Sequence, residues 1–240
     1  MNVSTHFSET TQRSLHVDVW RGGACILMIL YHFCYDLNYL KIITFDFYHN
    51  PFWLTFRTLI VSLFIGIAGI SLHLATLYEL RIHVFIKRLV ILLGCAGLIS
   101  AVSFILFHER FIFFGILHFI ALASVLGLFF RRWFWFNIIT GSGLLIIGIN
   151  VQHSLFNHNM LQWIGLMTHK PATEDYVPLL PWFGLMLLGM ALGKYCHNTG
   201  FIFKPLRLKG GQQLAWIGQH SLLVYMLHQP FLLGILWVLK

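Results

Sequence analysis

The composition of this 240-residue chain excludes an ordinary soluble domain: 58% of the residues are hydrophobic and only 10% are charged, whereas soluble domains carry about 25% charged residues. The formal net charge of +8 does not indicate a nucleic-acid partner, because the basic residues form short clusters between apolar runs, where the positive-inside rule accounts for them. The length leaves no room for a separate soluble domain.

The chain begins with a polar segment and continues as one apolar domain. The first sixteen residues include Glu9 and Arg13 and have no apolar core or small-residue cleavage site, so no cleaved signal peptide is predicted. We expect residues 1–16 to form a cytoplasmic N-terminal segment and residues 17–240 to form a single transmembrane domain.

Seven apolar runs follow, each close to the roughly 20 residues that a helix needs to cross about 30 Å of hydrocarbon. They cover residues 17–39, 52–77, 84–107, 111–130, 133–151, 179–196 and 212–239. Their length and continuous hydrophobicity predict an all-helical transmembrane bundle of about seven spans.

The basic residues between the runs predict the orientation of the bundle. Leaving aside Arg21 inside the first run, ten flank the side of the N-terminus: Arg13, Arg81, Lys87, Arg88, Arg131, Arg132, Lys194, Lys204, Arg207 and Lys209. Five flank the other side: Lys41, Arg57, Arg110, Lys170 and Lys240. This asymmetry predicts a cytoplasmic N-terminus and an outer C-terminus in the plasma membrane, which in bacteria is the inner membrane.

The outward segments concentrate acidic and histidine side chains. These are Asp46, His49, His108, Glu109, His153, His158, His169, Glu174 and Asp175. Segment 152–177 is the only loop long enough to serve as a lid or a substrate-binding element, since long irregular loops are uncommon unless they are functional.

The cysteines indicate neither a disulfide framework nor a metal site. They lie inside or at the edge of apolar runs, with no close pair among them. They are Cys25, Cys34, Cys95 and Cys196.

Ionisable residues within the spans are costly and are therefore the first candidates for chemistry. His32 lies eleven residues beyond Arg21, which is ~16 Å along a helix and near the middle of the membrane. Asp36 lies one turn further on the same face, where its carboxylate can orient the imidazole and raise its basicity, as a general base requires. The alternative is a hydrogen-bonded pair that only fixes helix packing.

Two more histidines share this depth. His118 follows Arg110 by eight residues and His228 precedes Lys240 by twelve, which places them ~12 Å and ~18 Å below the outer face. Each alone is more often a packing residue, but together with Asp36 they predict a polar cavity in the outer half of the bundle.

Two arginines near the ends of the spans have two interpretations each. Arg57, just inside the second run, is predicted either to pair with Asp36 or Asp46 or to extend to the interface. Arg21, at the inner end, is predicted to hold an anionic cofactor through charge-assisted hydrogen bonds, or to anchor the helix at the membrane surface. The inner basic residues that accompany Arg21 are Lys204, Arg207 and Lys209.

Several short stretches resemble membrane acyltransferases. Residues 17–22 (VDVWRG), followed by 26–28 (ILM) and His32, resemble an opening in which an acidic-x-x-Arg-Gly start leads into the first helix. Further stretches are 66–72 (GIAGISL), 110–122 (RFIFFGILHFIAL) and 221–228 (SLLVYMLH). Within this group the chain is most similar to the heparan-α-glucosaminide N-acetyltransferase catalytic-domain family.

The resemblance implies transfer of an acetyl group from cytoplasmic acetyl-coenzyme A to an amino sugar on the far side of the membrane. The essential histidine of that family, located just before a tryptophan at the outer start of the second helix, corresponds to His49, which precedes Trp53. His32 stands where the eukaryotic enzyme has an asparagine facing the same site, which leaves open whether His32 or His49 is the base.

The expected activity is therefore that of an acetyl-coenzyme A-dependent membrane acyltransferase that modifies an amino sugar or other glycan, and a homodimer is compatible with it. The predicted catalytic residues are His49, His32, Asp36, His118 and His228. The predicted cofactor-binding residues are Arg21, Lys204, Arg207 and Lys209, and the predicted substrate-binding residues are Arg57 and Trp53.

Two alternatives remain at this stage. A proton-coupled small-molecule transporter would use the same intramembrane His and Asp residues as a proton relay, although paired Gly/Pro-broken helices are not evident. A haem-binding electron carrier would use two histidines on facing helices as axial ligands.

Overall fold

The computed structural model describes residues 14–77, 80–201 and 209–238. Within these residues the chain is all-helical, which confirms the all-α part of the predicted fold class. Eight α-helices are found there: α1 (Leu15–Tyr39), α2 (Pro51–Ala75), α3 (Ile82–Phe107), α4 (Ile116–Phe130), α5 (Phe134–Asn150), α6 (Leu179–Asn198), α7 (Gly211–Gln219) and α8 (Ser221–Val238). Five residues used in the predictions lie outside the described ranges: Glu9, Arg13, Lys204, Arg207 and Lys240.

Helix length and hydrophobicity account for five membrane spans among the described residues. Helices α1, α2, α3, α6 and α8 are long and apolar enough to cross a membrane. Helices α4 and α5 are equally apolar but have 15 and 17 residues, which corresponds to ~22–26 Å. The chain is therefore an integral membrane protein.

The last predicted span differs from the structure because it is divided at His220. The apolar run is continuous in sequence, but α7 ends at Gln219 and α8 begins at Ser221. The Nδ1 atom of His220 lies 2.9 Å from the carbonyl oxygen of Trp216. The same carbonyl oxygen also accepts from the backbone N–H of His220 at 3.2 Å, so the ring and the backbone of His220 together close the end of α7.

Helix α7 packs closely against the inner half of α1, and two glycines permit this approach. Gly22 lies against the carbonyl of Leu214, and Gly218 lies against the carbonyl of Asp18, so a Cβ at either position would collide with backbone atoms. Small residues commonly allow such contacts in membranes, where the hydrophobic effect does not drive helix association. The contact places the start of α8 beside the first turns of α1.

The apolar core lies between α2, α4 and α6. Its fully buried members are Ile65, Phe119, Ala123, Met186, Leu187 and Met190. Helix α5 packs on α6, while α1 packs on α2, α7 and α8. The junction of α1 and α8 therefore lies beside this core, and it is there that the polar side chains of the interior meet.

The loops are tied together at the end of the bundle that the sequence predicts to face outward. This end is termed the outer end, and the opposite end the inner end. The Thr173 hydroxyl donates to the carbonyl oxygen of Phe111 at 2.8 Å, and the Tyr35 hydroxyl donates to a Glu174 carboxylate oxygen at 3.4 Å. The long segment between α5 and α6 thus covers the ends of α1 and α4. Short 3-10 turns occur at His108–Arg110, Ser154–Asn157 and Gln162–Ile164.

Candidate active site

A pair of histidines from α1 and α8 lies in the interior of the bundle. The ring centroids of His32 and His228 are 4.8 Å apart, with the ring planes at 58°. The Nδ1 atom of His32 and the Nε2 atom of His228 are buried and have no hydrogen-bond partner among the described residues. Two of the histidines that the sequence places at one depth are therefore neighbours.

The spacing of this pair is too short for axial haem ligands. A metal–nitrogen bond of about 2 Å on each side, together with the radii of the two rings, requires centroids roughly 6 Å apart with a porphyrin between them. The observed 4.8 Å leaves no space for the macrocycle. The observed spacing of His32 and His228 therefore does not favour them as an axial ligand pair.

The hydrogen bonding of His228 defines its tautomer. Its Nδ1 atom lies 2.7 Å from the carbonyl oxygen of Tyr225. A carbonyl oxygen only accepts, so Nδ1 carries the hydrogen and the neutral ring has its lone pair on Nε2. The open Nε2 atom of His228 is consequently a base enclosed in the bundle.

Asp36 is bonded across the helix interface, and not to His32 as the sequence spacing predicts. The Nε2 atom of Gln229 donates to Asp36 Oδ1 at 2.9 Å, and Asp36 is 1% exposed. Asp36 Oδ2 and Gln229 Oε1 are buried without a hydrogen-bond partner among the described residues. We call His32, Asp36, His228 and Gln229 the interior cluster.

The interior cluster contains an unusual number of buried polar atoms that are not satisfied. Leaving a buried polar group unpaired costs about 1–3 kcal/mol, and native interiors contain few such groups. Four open atoms within one turn of α1 and two residues of α8 therefore make the interior cluster the leading candidate site among the described residues.

An aromatic wall separates the interior cluster from the loop between α1 and α2. Tyr31 contacts His32 edge to face at 5.6 Å and Trp53 at 6.0 Å. Trp53 is only 9% exposed because Phe47 covers it, with centroids 4.3 Å apart. Trp53, predicted to bind substrate, thus supports Tyr31 and through it the ring of His32.

His49 forms a second histidine–carboxylate pair at the outer end. Its Nδ1 atom lies 3.1 Å from Asp46 Oδ1, and 86% of its side chain is exposed. The backbone N–H of His49 is the main cause that lowers the pKa of Asp46, with further contributions from the backbone N–H of Tyr48 and the His49 ring. Among the described residues, His49 makes no ring contact with the interior pair.

Arg57 does not pair with either aspartate for which the sequence proposed it. Within the described part of the chain, Asp46 is bonded to His49 and Asp36 to Gln229. Arg57 is half-buried and lies within electrostatic range of Lys170 and Asp175. The local spacing that suggested the pairing does not determine which way a long side chain turns.

His118, predicted as catalytic, has both ring nitrogens in hydrogen bonds at the start of α4. The Gly115 amide donates to its Nδ1 atom at 3.3 Å, and its Nε2 atom lies 3.2 Å from the Ser100 hydroxyl. The Ser100 hydroxyl donates to the Ile112 carbonyl, so it accepts from Nε2. The geometry is that of a neutral capping residue.

Asp175 connects the outer segment to the helix of His228. Its Oδ2 atom accepts from the Ile116 amide at 2.9 Å and from the Tyr225 hydroxyl at 3.2 Å, while the Tyr225 carbonyl accepts from His228. Burial raises the pKa of Asp175, and the bonds from Ile116 and Tyr225 act in the opposite direction. A chain of contacts therefore runs from the outer segment to the interior cluster.

At the inner end, Arg21 joins three helices. It donates to Asp18 Oδ1 at 2.9 Å, to the Ser71 hydroxyl at 2.7 Å and to the Gly218 carbonyl oxygen at 3.4 Å. Its side chain is 18% exposed. Lys209 is exposed directly before α7, whereas Lys204 and Arg207 lie outside the described residues.

Sequence reasoning did not single out Gln229, Tyr225 or Asp175 as members of a site. Gln229 directly follows His228 in an otherwise apolar helix, and a polar amide at that depth was a usable signal. The role of Asp175 depends on a tertiary contact with α4 and α8 that no local pattern indicates.

The comparisons with known proteins identify the family. No protein of curated function and no solved structure matches the chain. A family model described as heparan-alpha-glucosaminide N-acetyltransferase, catalytic, matches residues 13–230, which span all eight helices except the last turns of α8. The chain therefore belongs to the heparan-alpha-glucosaminide N-acetyltransferase catalytic family of membrane acyltransferases.

Proposed function

We propose that this protein transfers an acetyl group from cytoplasmic acetyl-coenzyme A to an amino sugar or other glycan acceptor on the opposite side of the membrane. The observation that carries the proposal is the interior cluster, in which two neighbouring imidazoles present buried open nitrogens within a chain of this family. Acyl transfer needs a base at the point where acceptor and thioester meet. The transporter alternative receives no support from the family match.

The proposed topology has seven spans, a cytoplasmic N-terminal segment and the plasma membrane as its location. It counts α4 and α5 as spans, because both are apolar throughout and tilt or flanking residues can compensate for short helices. The two ends of the bundle also differ in charge. At one end the Lys194 ammonium lies 3.2 Å from the Arg132 carbonyl oxygen, while the other holds the Asp46–His49 pair and Glu174.

The proposed donor site lies at the inner, basic end. Arg21 and Lys209, with Lys204 and Arg207, provide positive charge for the phosphates of coenzyme A. The existing bonds of Arg21 to Asp18 and Ser71 hold its guanidinium at the junction of α1, α2 and α7. The thioester end of the donor then extends between the helices toward the interior cluster.

The proposed chemistry is nucleophilic attack of the acceptor amine or hydroxyl on the thioester carbonyl. His32 or His49 removes the proton of the attacking group, and a second imidazole or Arg57 stabilises the oxyanion. The negative charges of Asp36 and Asp46 stabilise the protonated forms of the His32 and His49 rings. The acceptor approaches from the outer end, where the loops that carry His49 and Glu174 meet.

The test is coenzyme A release from acetyl-coenzyme A by the protein in lipid discs, with and without a panel of amino sugars. We expect release that depends on one class of sugar, together with an acetylated sugar in equal amount. Equal release with and without every acceptor would indicate hydrolysis. No release from intact protein with the full panel would reject the proposal.

A further inference from the structure

We propose that His32 and His228 act as one proton-transfer unit that carries the proton of the attacking acceptor group to the sulfur of the departing coenzyme A. This inference rests on the proposed acetyl transfer. It assigns the second imidazole to proton transfer, in place of the stabilisation of the oxyanion. It also adds Tyr225 and Gln229 as positioning residues.

The first support is the geometry of the two rings. They come from different helices, their centroids are 4.8 Å apart, and each has one buried nitrogen without a partner among the described residues. The proposed transfer moves one proton between these two nitrogens across the ring contact. A pair used only for helix packing would be expected to have its nitrogens satisfied.

The second support is the polarity of the open atoms. The Tyr225 carbonyl fixes hydrogen on His228 Nδ1 and leaves Nε2 as an acceptor. Gln229 directs its amide N–H to Asp36, so its open Oε1 atom is also an acceptor, as is Asp36 Oδ2 when ionised. Three of the four open atoms of the interior cluster are therefore acceptors, and together they favour binding of a proton.

The third support is the balance of the reaction. When the neutral acceptor attacks, a carbon–nitrogen or carbon–oxygen bond forms, the carbon–sulfur bond breaks with its electron pair going to sulfur, and the acceptor atom loses one proton. The thiolate of coenzyme A gains one proton. Acceptor and donor arrive from opposite ends, so a base that only delivers its proton to the outside would leave the thiolate unprotonated inside the bundle.

The groups around the pair limit where the proton can go. From α1 they are Tyr31, in ring contact with His32, and Asp36. From α8 there is Tyr225, whose hydroxyl is bonded to Asp175 of the outer segment, and from α2 there is Arg57, within electrostatic range of Tyr31. Neither tyrosine hydroxyl bonds to the imidazoles in the described residues, so in the proposed transfer the proton stays on the two rings.

The test compares two acetyl donors in lipid discs: acetyl-coenzyme A and an acetyl aryl thioester, whose thiolate departs without needing a proton. His32→Gln and His228→Gln should each lower transfer from acetyl-coenzyme A by about 10²-fold or more. The double variant should lose little beyond either single variant, because the two residues form one unit. With the aryl thioester, the losses should shrink to about tenfold or less.

Equal losses with both donors would overturn the proposal, because the histidines would then not protonate the leaving sulfur. Independent, multiplicative losses in the double variant would also overturn it. His83→Gln is the matched control, since this exposed histidine of α3 lies outside the interior cluster and should leave transfer unchanged.

A spectroscopic readout separates proton sharing from a structural role. In protein labelled with ¹⁵N-histidine, His32→Gln should move the Nε2 resonance of His228, and His83→Gln should not. An unmoved resonance in a folded variant contradicts the shared proton. Acetyl transfer by the wild-type protein is measured first, so that its absence rejects the proposed function, whereas normal transfer in folded His32 and His228 variants rejects only this inference.

Discussion

The molecule has two histidine–carboxylate sites, and they differ in what surrounds them. At the outer end, His49 and Asp46 bond to each other, and the His49 side chain is 86% exposed. In the interior, His32 and Asp36 lie one turn apart on α1, yet Asp36 bonds to Gln229 and His32 contacts His228. The outer pair is satisfied and open to water, while the interior cluster is enclosed and unsatisfied.

This difference separates two ways in which a histidine can serve in catalysis. Unpaired polar atoms cost free energy only where water is excluded. The interior cluster therefore gains free energy when a proton or a polar reactant binds to its open atoms. An exposed pair gains strength only when a substrate covers it and displaces water. His49 therefore suits contact with the incoming acceptor, and His32 with His228 suits proton transfer inside the bundle.

The largest expected effect distinguishes the two sites by access. His49→Ala and His32→Ala should each leave the protein folded and lower acetyl transfer by about 10²- to 10⁴-fold. Added imidazole should restore part of the activity of His49→Ala, because that position is open to solvent, and little of the activity of His32→Ala. Turnover of both variants is measured against imidazole concentration. Unchanged turnover in both would contradict the assignment of either histidine to the site.

A second test concerns the hydrogen bond that holds the interior carboxylate of Asp36. Gln229→Leu removes the donor to Asp36 and should destabilise the protein by about 1–3 kcal/mol, the cost of leaving a buried partner unpaired. Thermal unfolding in lipid discs measures the change. His158→Leu, on the exposed outer segment, is the control and should have a small effect. A Gln229→Leu variant as stable as wild type would mean that Asp36 has another partner.

The inner end offers a third environment, in which the charged group of Arg21 already makes three hydrogen bonds within the protein. Arg21→Ala should raise the acetyl-coenzyme A concentration required for half-maximal transfer by about tenfold, which corresponds to roughly 1.4 kcal/mol. It should also destabilise the contact of α1 with α7, because it removes the bonds to Ser71 and Gly218. Lys209→Ala removes a positive charge from the proposed donor site and keeps the bonds of Arg21 to Ser71 and Gly218. A normal dependence on acetyl-coenzyme A in both variants would refute the proposed donor site.

The sequence predicts the helices better than the site, because hydrophobicity acts locally and partner choice does not. The expected first run, residues 17–39, closely matches α1 at Leu15–Tyr39, since apolar length determines a spanning helix. The division at His220 is not visible in a continuous apolar run. It accompanies the close contact of Gly218 with α1, a tertiary feature.

The same limit applies to the charged side chains. The i, i+4 spacing correctly places His32 and Asp36 on one helix, but the partner of Asp36 is Gln229, 193 positions away. His118 has the predicted helical position, yet Ser100 and Gly115 satisfy both of its ring nitrogens. Sequence reasoning therefore identified candidate residue types, and the packing of α8 on α1 selected which of them meet.

The smallest expected effect is the pH dependence of the outer pair. The folded-state pKa of Asp46 is lowered, chiefly by the His49 backbone N–H, so this carboxylate favours the folded state above its unfolded pKa of about 3.9. The contribution is lost as the pH falls through the lower folded value. Asp46→Asn keeps an acceptor but cannot titrate, so the melting temperatures of variant and wild type should differ by a small constant amount above about pH 5. The two melting curves should converge below pH 4, and a gap that grows with acidification would reverse the sign assigned to this pair.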